Sequence, residues 1–174
     1  IYMLKDIVTK ETIFINTDAH DKIDLFNKIA SYAKKLNLIS DETGIIEDLF
    51  EREQTTETYL GTNCAVPHAR SSKVLKTSVF FVRLNKAIRW SDEENAKYIF
   101  LILAKDTDID LHIDLLMAIS KKILDNKAME VFVASENVNE ILETLSNLHS
   151  SLAKVFLSYL EMRMHRMPSS LTRS

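Results

Sequence analysis

The stretch with the clearest chemical potential is Tyr59-Leu60-Gly61-Thr62-Asn63-Cys64-Ala65-Val66-Pro67-His68-Ala69-Arg70. Pro67 fixes its own φ and biases Val66 toward extended backbone, so His68 leaves a short apolar piece on a constrained trajectory. Ala69 is small, and the pattern predicts an imidazole left uncovered at its side. A ring held this way, titrating near neutral pH, suits nucleophilic attack or proton transfer. The same residues also fit an ordinary surface-loop histidine beside a proline. Cys64, four residues earlier, reads either as half of a Cys/His nucleophilic pair or as a small buried hydrophobe. His68, His112 and nearby aspartates are metal-ligating types, but no compact Cys/His spacing supports a zinc site. His20, His149 and His165 have no evident partners and read as surface residues.

Positioning such residues takes a scaffold, and the chain alternates strand and helix patterns. Ile13-Phe14-Ile15 reads as a first strand. Ile23, Phe26, Ala30, Ala33 and Leu36 recur at helical spacing, with Asp18 or Asp21 as the cap. A second helix starts near Asp41, buries Ile45, Ile46, Leu49 and Phe50, and carries Arg52 and Glu53 at its C-terminal end, where a cation is favoured. Thr55 to Cys64 has no stable periodicity, and Ala65-Val66 is a brief strand. From Lys73 to Leu84 both alternating sets are apolar, which predicts a sheet covered on both faces. Trp90 to Asn95 is a polar connection, and Tyr98 to Ala104 is a buried strand.

Thr107 with Asp110 resembles a capping box for a helix reaching about Leu124, lined by Leu111, Leu115, Leu116, Ile119 and Ile123. Lys127 to Ala134 reads as a further helix, although Val131-Phe132-Val133 has strand propensity. Asn137 to Leu148 is another helix. The expected architecture is an α/β (α+β) three-layer sandwich, with a mixed central sheet of about five strands and helices on both faces.

Composition narrows the function classes. A chain of 174 residues, 46% hydrophobic and 27% charged, fits one globular domain. A formal net charge of −3 leaves no basic footprint for nucleic acid. No apolar run approaches the roughly 18 residues of a membrane span. No secretory signal pattern opens the chain. A lone cysteine fits a reducing, cytoplasmic compartment.

The segment Arg52-Glu53-Gln54-Thr55-Thr56-Glu57-Thr58 through Val66-Pro67-His68-Ala69 resembles the signature of fructose/mannitol-type enzyme IIA domains of the phosphotransferase system. There an Arg-Glu pair precedes a Thr-Gly-Ile-Gly-like stretch that runs into Ala-Ile-Pro-His. Here Tyr59 and Asn63 replace glycines. The similarity continues through Leu111-His112-Ile113-Asp114-Leu115-Leu116 to about residue 147.

The resemblance implies a phosphocarrier. Nε2 of His68 would take phosphate from the phosphohistidine carrier HPr and pass it to an enzyme IIB domain for carbohydrate uptake. His112 matches the second histidine, Arg52 the arginine, and Thr58 a supporting position that either donates a hydroxyl bond or stabilises the turn. Cys64 falls where the family has an apolar residue, which favours the buried-hydrophobe reading. Arg70 departs from a position that is more often small, so it contacts a partner or is merely solvated. Phosphoryl transfer between histidines needs in-line positioning and donors for the oxygens, without metal or cofactor. The alternative is a regulatory, nitrogen-type IIA whose phosphorylation state controls a partner. Sugar recognition would belong to the membrane component IIC, so the chain meets the membrane only indirectly. Leu60, Val66 and the loop after Trp90 are the expected docking contributors.

The resemblance places the domain at residues 1–148, leaving 149–174 as a C-terminal extension. Leu152, Val155, Phe156, Tyr159 and Leu160 keep helical spacing and would pack on the core or on a second copy, giving a homo-oligomer. Residues from Arg166 onward read as a disordered or non-native tail.

Overall fold

The computed structural model describes residues 7–147. The C-terminal extension, with His149 and His165, lies outside the described residues. A short 3-10 turn, Lys10–Thr12, leads into β1 (Ile13–Thr17). Helices α1 (Lys22–Lys35) and α2 (Glu42–Thr55) follow, and both start on an aspartate. The Asp21 carboxylate accepts from the Asp24 amide at 2.8 Å, and the Asp41 carboxylate from the Gly44 amide at 3.1 Å. Each cap satisfies an amide that the first turn leaves without an intrahelical partner.

The strands β2 (Tyr59–Gly61), β3 (Cys64–Ala65), β4 (His68–Ser71), β5 (Ser78–Arg89) and β6 (Asn95–Lys105) complete a six-stranded mixed sheet. Its order is β1-β5-β6-β3-β2, with β4 paired to β6 beyond β3. β5 and β6 run antiparallel, while β1 pairs with β5, and β3 and β4 with β6, in parallel. Helices α3 (Ile109–Ile123), α4 (Asn126–Ala134) and α5 (Val138–Ser146) close the described chain.

The alternation in β5 and β6 splits the core in two. Phe80, Val82, Leu84, Leu101 and Leu103 pack against α1 and α2. Val79, Phe81, Phe100 and Ile102 pack against α3, α4 and α5. Phe132 of α4 sits 5.2 Å from Phe81 and 5.0 Å from Phe100 between ring centroids, and this packing makes helix of a segment whose local propensity leans to strand. The three-layer expectation therefore holds, with one more strand than expected.

Several local expectations are corrected. Ile23 is 57% exposed, because the buried stripe of α1 is Leu25, Phe26, Ile29, Ala30 and Ala33. The cap residue of α3 is Asp108 and it makes no side-chain cap bond; its carboxylate instead accepts the Thr77 hydroxyl at 2.7 Å. That bond ties the start of α3 to the start of β5. The segment without periodicity, Thr55 to Cys64, contains β2 and a tight hairpin. Its turn residues Gly61, Thr62 and Asn63 have φ of +92°, +49° and +60°. Asn63 tolerates this left-handed backbone, and its amide is held by the Tyr59 hydroxyl at 3.1 Å.

β3 and β4 lie in succession along β6, broken at Val66-Pro67. Proline has no N–H to give the ladder. The Val66 amide turns to the Thr58 carbonyl at 2.9 Å, while the Pro67 carbonyl still accepts the Ile102 amide at 3.0 Å. Pairing with β6 resumes after the break in the same register, Ala65 opposite Ile99 and His68 opposite Ile102. Val66 is 3% exposed in the α3-side core and so cannot serve as a docking surface, whereas Leu60 is 47% exposed.

Candidate functional site

Three elements meet at an open cleft of about 450 Å³ whose lining includes Asp48, Glu51, Arg52, His68, Arg70 and His112. His68 enters from β4, Arg52 from the last turn of α2 and His112 from the first turn of α3. Residues far apart in the chain, each on a regular element, thus converge.

The two nitrogens of His68 are both engaged, and their partners fix the tautomer. Nδ1 lies 2.8 Å from the Val66 carbonyl oxygen, which can only accept, so Nδ1 carries the proton. Nε2 accepts from the Arg52 Nε–H at 3.0 Å, which requires its lone pair. Both bonds demand the same neutral ring with its nucleophilic pair on Nε2. The expectation of an uncovered imidazole is corrected: His68 is 8% exposed, because the Val66 carbonyl draws the ring down and the Arg52 side chain covers its outer nitrogen. Burial lowers its pKa below the usual 6.5, the Val66 bond opposes that shift, and the Arg52 charge adds to it.

His112 stands beside it, with ring centroids 5.1 Å apart and planes at 61°. Among the described residues its buried Nε2 finds no hydrogen-bond partner. Burial, His68, Arg70 and Arg52, in that order, push its pKa down to about 4. The bonded His68 ring thus offers a nitrogen lone pair without first losing a proton, with the His112 ring in contact beside it.

Arg52 is held by a bond from Nη1 to the Thr56 carbonyl at 2.8 Å. Thr58 does not line the cleft. It is 5% exposed, and its hydroxyl and its amide both donate to the Glu53 carboxylate. Glu53 also accepts the Trp90 Nε1–H at 3.2 Å and lies 3.8 Å from Lys22 Nζ. Of the alternatives read from sequence, Thr58 therefore supports the loop that begins where α2 ends. Glu53, next to Arg52, is a hub whose role sequence reasoning missed; Thr58 is five residues on, but Trp90 is 37 away, which no local pattern reveals. Cys64 is fully buried, and burial raises its thiol pKa, as befits a core residue. His20 is exposed. Among the described residues no three His, Cys, Asp or Glu side chains are grouped to hold a metal ion, and no helix is long and apolar enough to cross a membrane.

The family model described as "Phosphoenolpyruvate-dependent sugar phosphotransferase system, EIIA 2" matches residues 6–148. The chain belongs to this family. It is similar to the mannitol-specific phosphotransferase enzyme IIA component of Halalkalibacterium halodurans, at 23% identity over 84% of this chain and 99% of that protein. It also matches the mannitol-specific EIICBA component of Escherichia coli at 28% identity, over 78% of this chain but only 21% of that protein. The chain thus spans about a fifth of the length of several relatives it matches. Among solved structures, nitrogen regulatory protein IIA-Ntr of Neisseria meningitidis superposes with a TM-score of 0.75 at 20% identity, over 83% of this chain and 99% of that one, a likeness of fold. The complex of enzyme IIAMTL with phosphorylated enzyme IIBMTL from E. coli contains a chain matching at a TM-score of 0.69 and 26% identity, over 80% of this chain and 97% of that one.

Two predictions arise for this EIIA-family chain. Glu53→Ala leaves the Thr58 amide, the Thr58 hydroxyl and the Trp90 N–H without their acceptor. The expected loss is about 2–4 kcal/mol in urea unfolding, with part of it recovered in Glu53→Gln; an unchanged midpoint removes Glu53 from its structural role. The depressed pKa of His112 makes stability pH-dependent. As pH falls below 6.5 the unfolded chain binds protons that the folded ring refuses until about 4. Stability is therefore expected to be full above pH 6.5 and to decline between there and about 4, and His112→Gln should flatten that slope in a pH series of unfolding curves.

Proposed function

We propose that this chain is a phosphocarrier, the IIA component of a carbohydrate phosphotransferase system working in the cytoplasm. In this reading Nε2 of His68 receives phosphate from phospho-HPr and passes it to an enzyme IIB component. The observation that carries it is the opposed anchoring of the His68 ring, Nδ1 on the Val66 carbonyl and Nε2 facing Arg52 in the cleft. The Nε2 lone pair forms a bond to phosphorus as the donor's P–N bond breaks. The donor ring, protonated at its other nitrogen, leaves as neutral imidazole, while Nδ1 of His68 keeps its proton on Val66.

The Arg52 Nε–H loses its nitrogen acceptor at that moment and turns to the phosphoryl oxygens, where a guanidinium grips two at once. His112 Nε2 gains a partner when its N–H meets a further oxygen, and the N-terminal end of α3 adds its dipole. The membrane partner IIC, rather than this chain, would recognise the sugar.

Incubating the protein with phospho-HPr and mapping acid-labile, base-stable phosphate by mass spectrometry tests the reading; the mass is expected on the peptide carrying His68, and no uptake would refute it. Adding a cognate IIB separates the carrier from a regulatory IIA: a carrier hands the phosphate on, and a regulator keeps it.

A further inference from the structure

Arg70 is a cation of the cleft lining to which phosphoryl transfer, as just set out, gives no task. It lies two residues beyond His68 on β4, so both side chains leave the same face of the strand. Their Cα atoms are then about 7 Å apart, within reach of an extended arginine. It lines the same cleft as His68, Arg52 and His112. Lys73 nearby is tied to Asp48 at 3.1 Å and Arg52 to His68 and Thr56, but among the described residues no hydrogen bond or ion pair holds the Arg70 guanidinium. Its charge nevertheless reaches the His112 ring, whose proton affinity it lowers.

The charges lining the cleft show what this free cation changes. Asp48 is paired with Lys73, so of the other lining charges Glu51 contributes −1 and Arg52 and Arg70 +2. Without Arg70 that balance falls from +1 to zero, and one cation fewer meets a phosphoryl group of about −1.5 to −2. Losing that attraction raises the free energy of the phosphorylated form and favours return of the group to its donor.

We propose that Arg70 is a second guanidinium for the phosphoryl group on His68, holding an oxygen that Arg52 does not reach and so prolonging the life of the phosphorylated protein. The proposal rests on His68 being the acceptor. It makes retention of phosphate, more than the speed of its arrival, the property that this residue sets.

The test compares wild type, Arg70→Ala and Arg70→Lys after loading with phosphoramidate, a small N–P donor that bypasses protein docking, and then measures phosphate loss and the final balance with HPr. Loss from Arg70→Ala is expected about three- to tenfold faster, with the balance shifted toward phospho-HPr by a similar factor and Arg70→Lys in between. Thermal unfolding of the unphosphorylated variants should match wild type, since Arg70 is exposed and unbonded. If Arg70→Ala keeps wild-type lifetime and balance, Arg70 has no part in holding phosphate, although His68 remains the acceptor. If only the rate of transfer from HPr falls, Arg70 is a partner contact and the proposal is lost. If wild type itself takes no phosphate on His68, the acceptor assignment fails and Arg70 falls with it.

Discussion

His68→Ala is expected to take up no phosphate from phospho-HPr while remaining folded. The substitution removes the cleft nitrogen whose lone pair is oriented by two independent bonds, 2.8 Å to Val66 and 3.0 Å from Arg52. It leaves the Val66 carbonyl and the Arg52 N–H to find water, at a cost of about 1–2 kcal/mol because the cleft is open to solvent on one side. That is small beside the total loss of a covalent acceptor. Urea unfolding establishes the first point and intact-protein mass the second. Phosphate appearing on the variant would move the acceptor elsewhere, and His112, the other imidazole in the cleft, would be the residue to map.

Arg52→Ala should slow phosphorylation of His68 by about two to three orders of magnitude, the loss seen when one fixed donor to a developing oxyanion is removed. The side chain has two tasks. In the resting state its Nε–H keeps the lone pair of Nε2 pointed into the cleft. In the proposed transfer its charge and its fork of donors would meet the equatorial oxygens, where most of the negative charge lies. Arg52→Lys restores the charge without the fork, so about a tenth of the wild-type rate is expected. Rapid-quench measurement of phosphohistidine formation separates these cases. A full rate in Arg52→Ala would confine the residue to holding Thr56 and the end of α2.

Much of this was legible in the sequence, and the gaps have physical causes. Asp21 and Asp41 announce their helices because capping is local, acting across three residues. The alternation through Val79 to Val82 reveals a sheet with two covered faces for the same reason. β2 and β4 were invisible because strands of three and four residues owe their existence to partners elsewhere in the chain. The exposure of the His68 ring was misjudged because it is decided by a carbonyl two residues back and an arginine sixteen residues away. Glu53 was legible as half of the Arg-Glu pair but not as a hub, because its two bonds to Thr58 are joined by one from the Trp90 indole, 37 residues away beyond the end of β5.

That indole has a practical consequence. Trp90 is the sole tryptophan of the chain, 2% exposed, bonded to the neighbour of Arg52 and lying under the ammonium of Lys22 at 4.8 Å. The molecule therefore carries a single tryptophan fluorophore, shielded from water and bonded to the end of the helix that presents the guanidinium. Its emission should be blue-shifted in the native protein and move to the red on denaturation, so one spectral line follows the joint between α2 and the sheet without an added label.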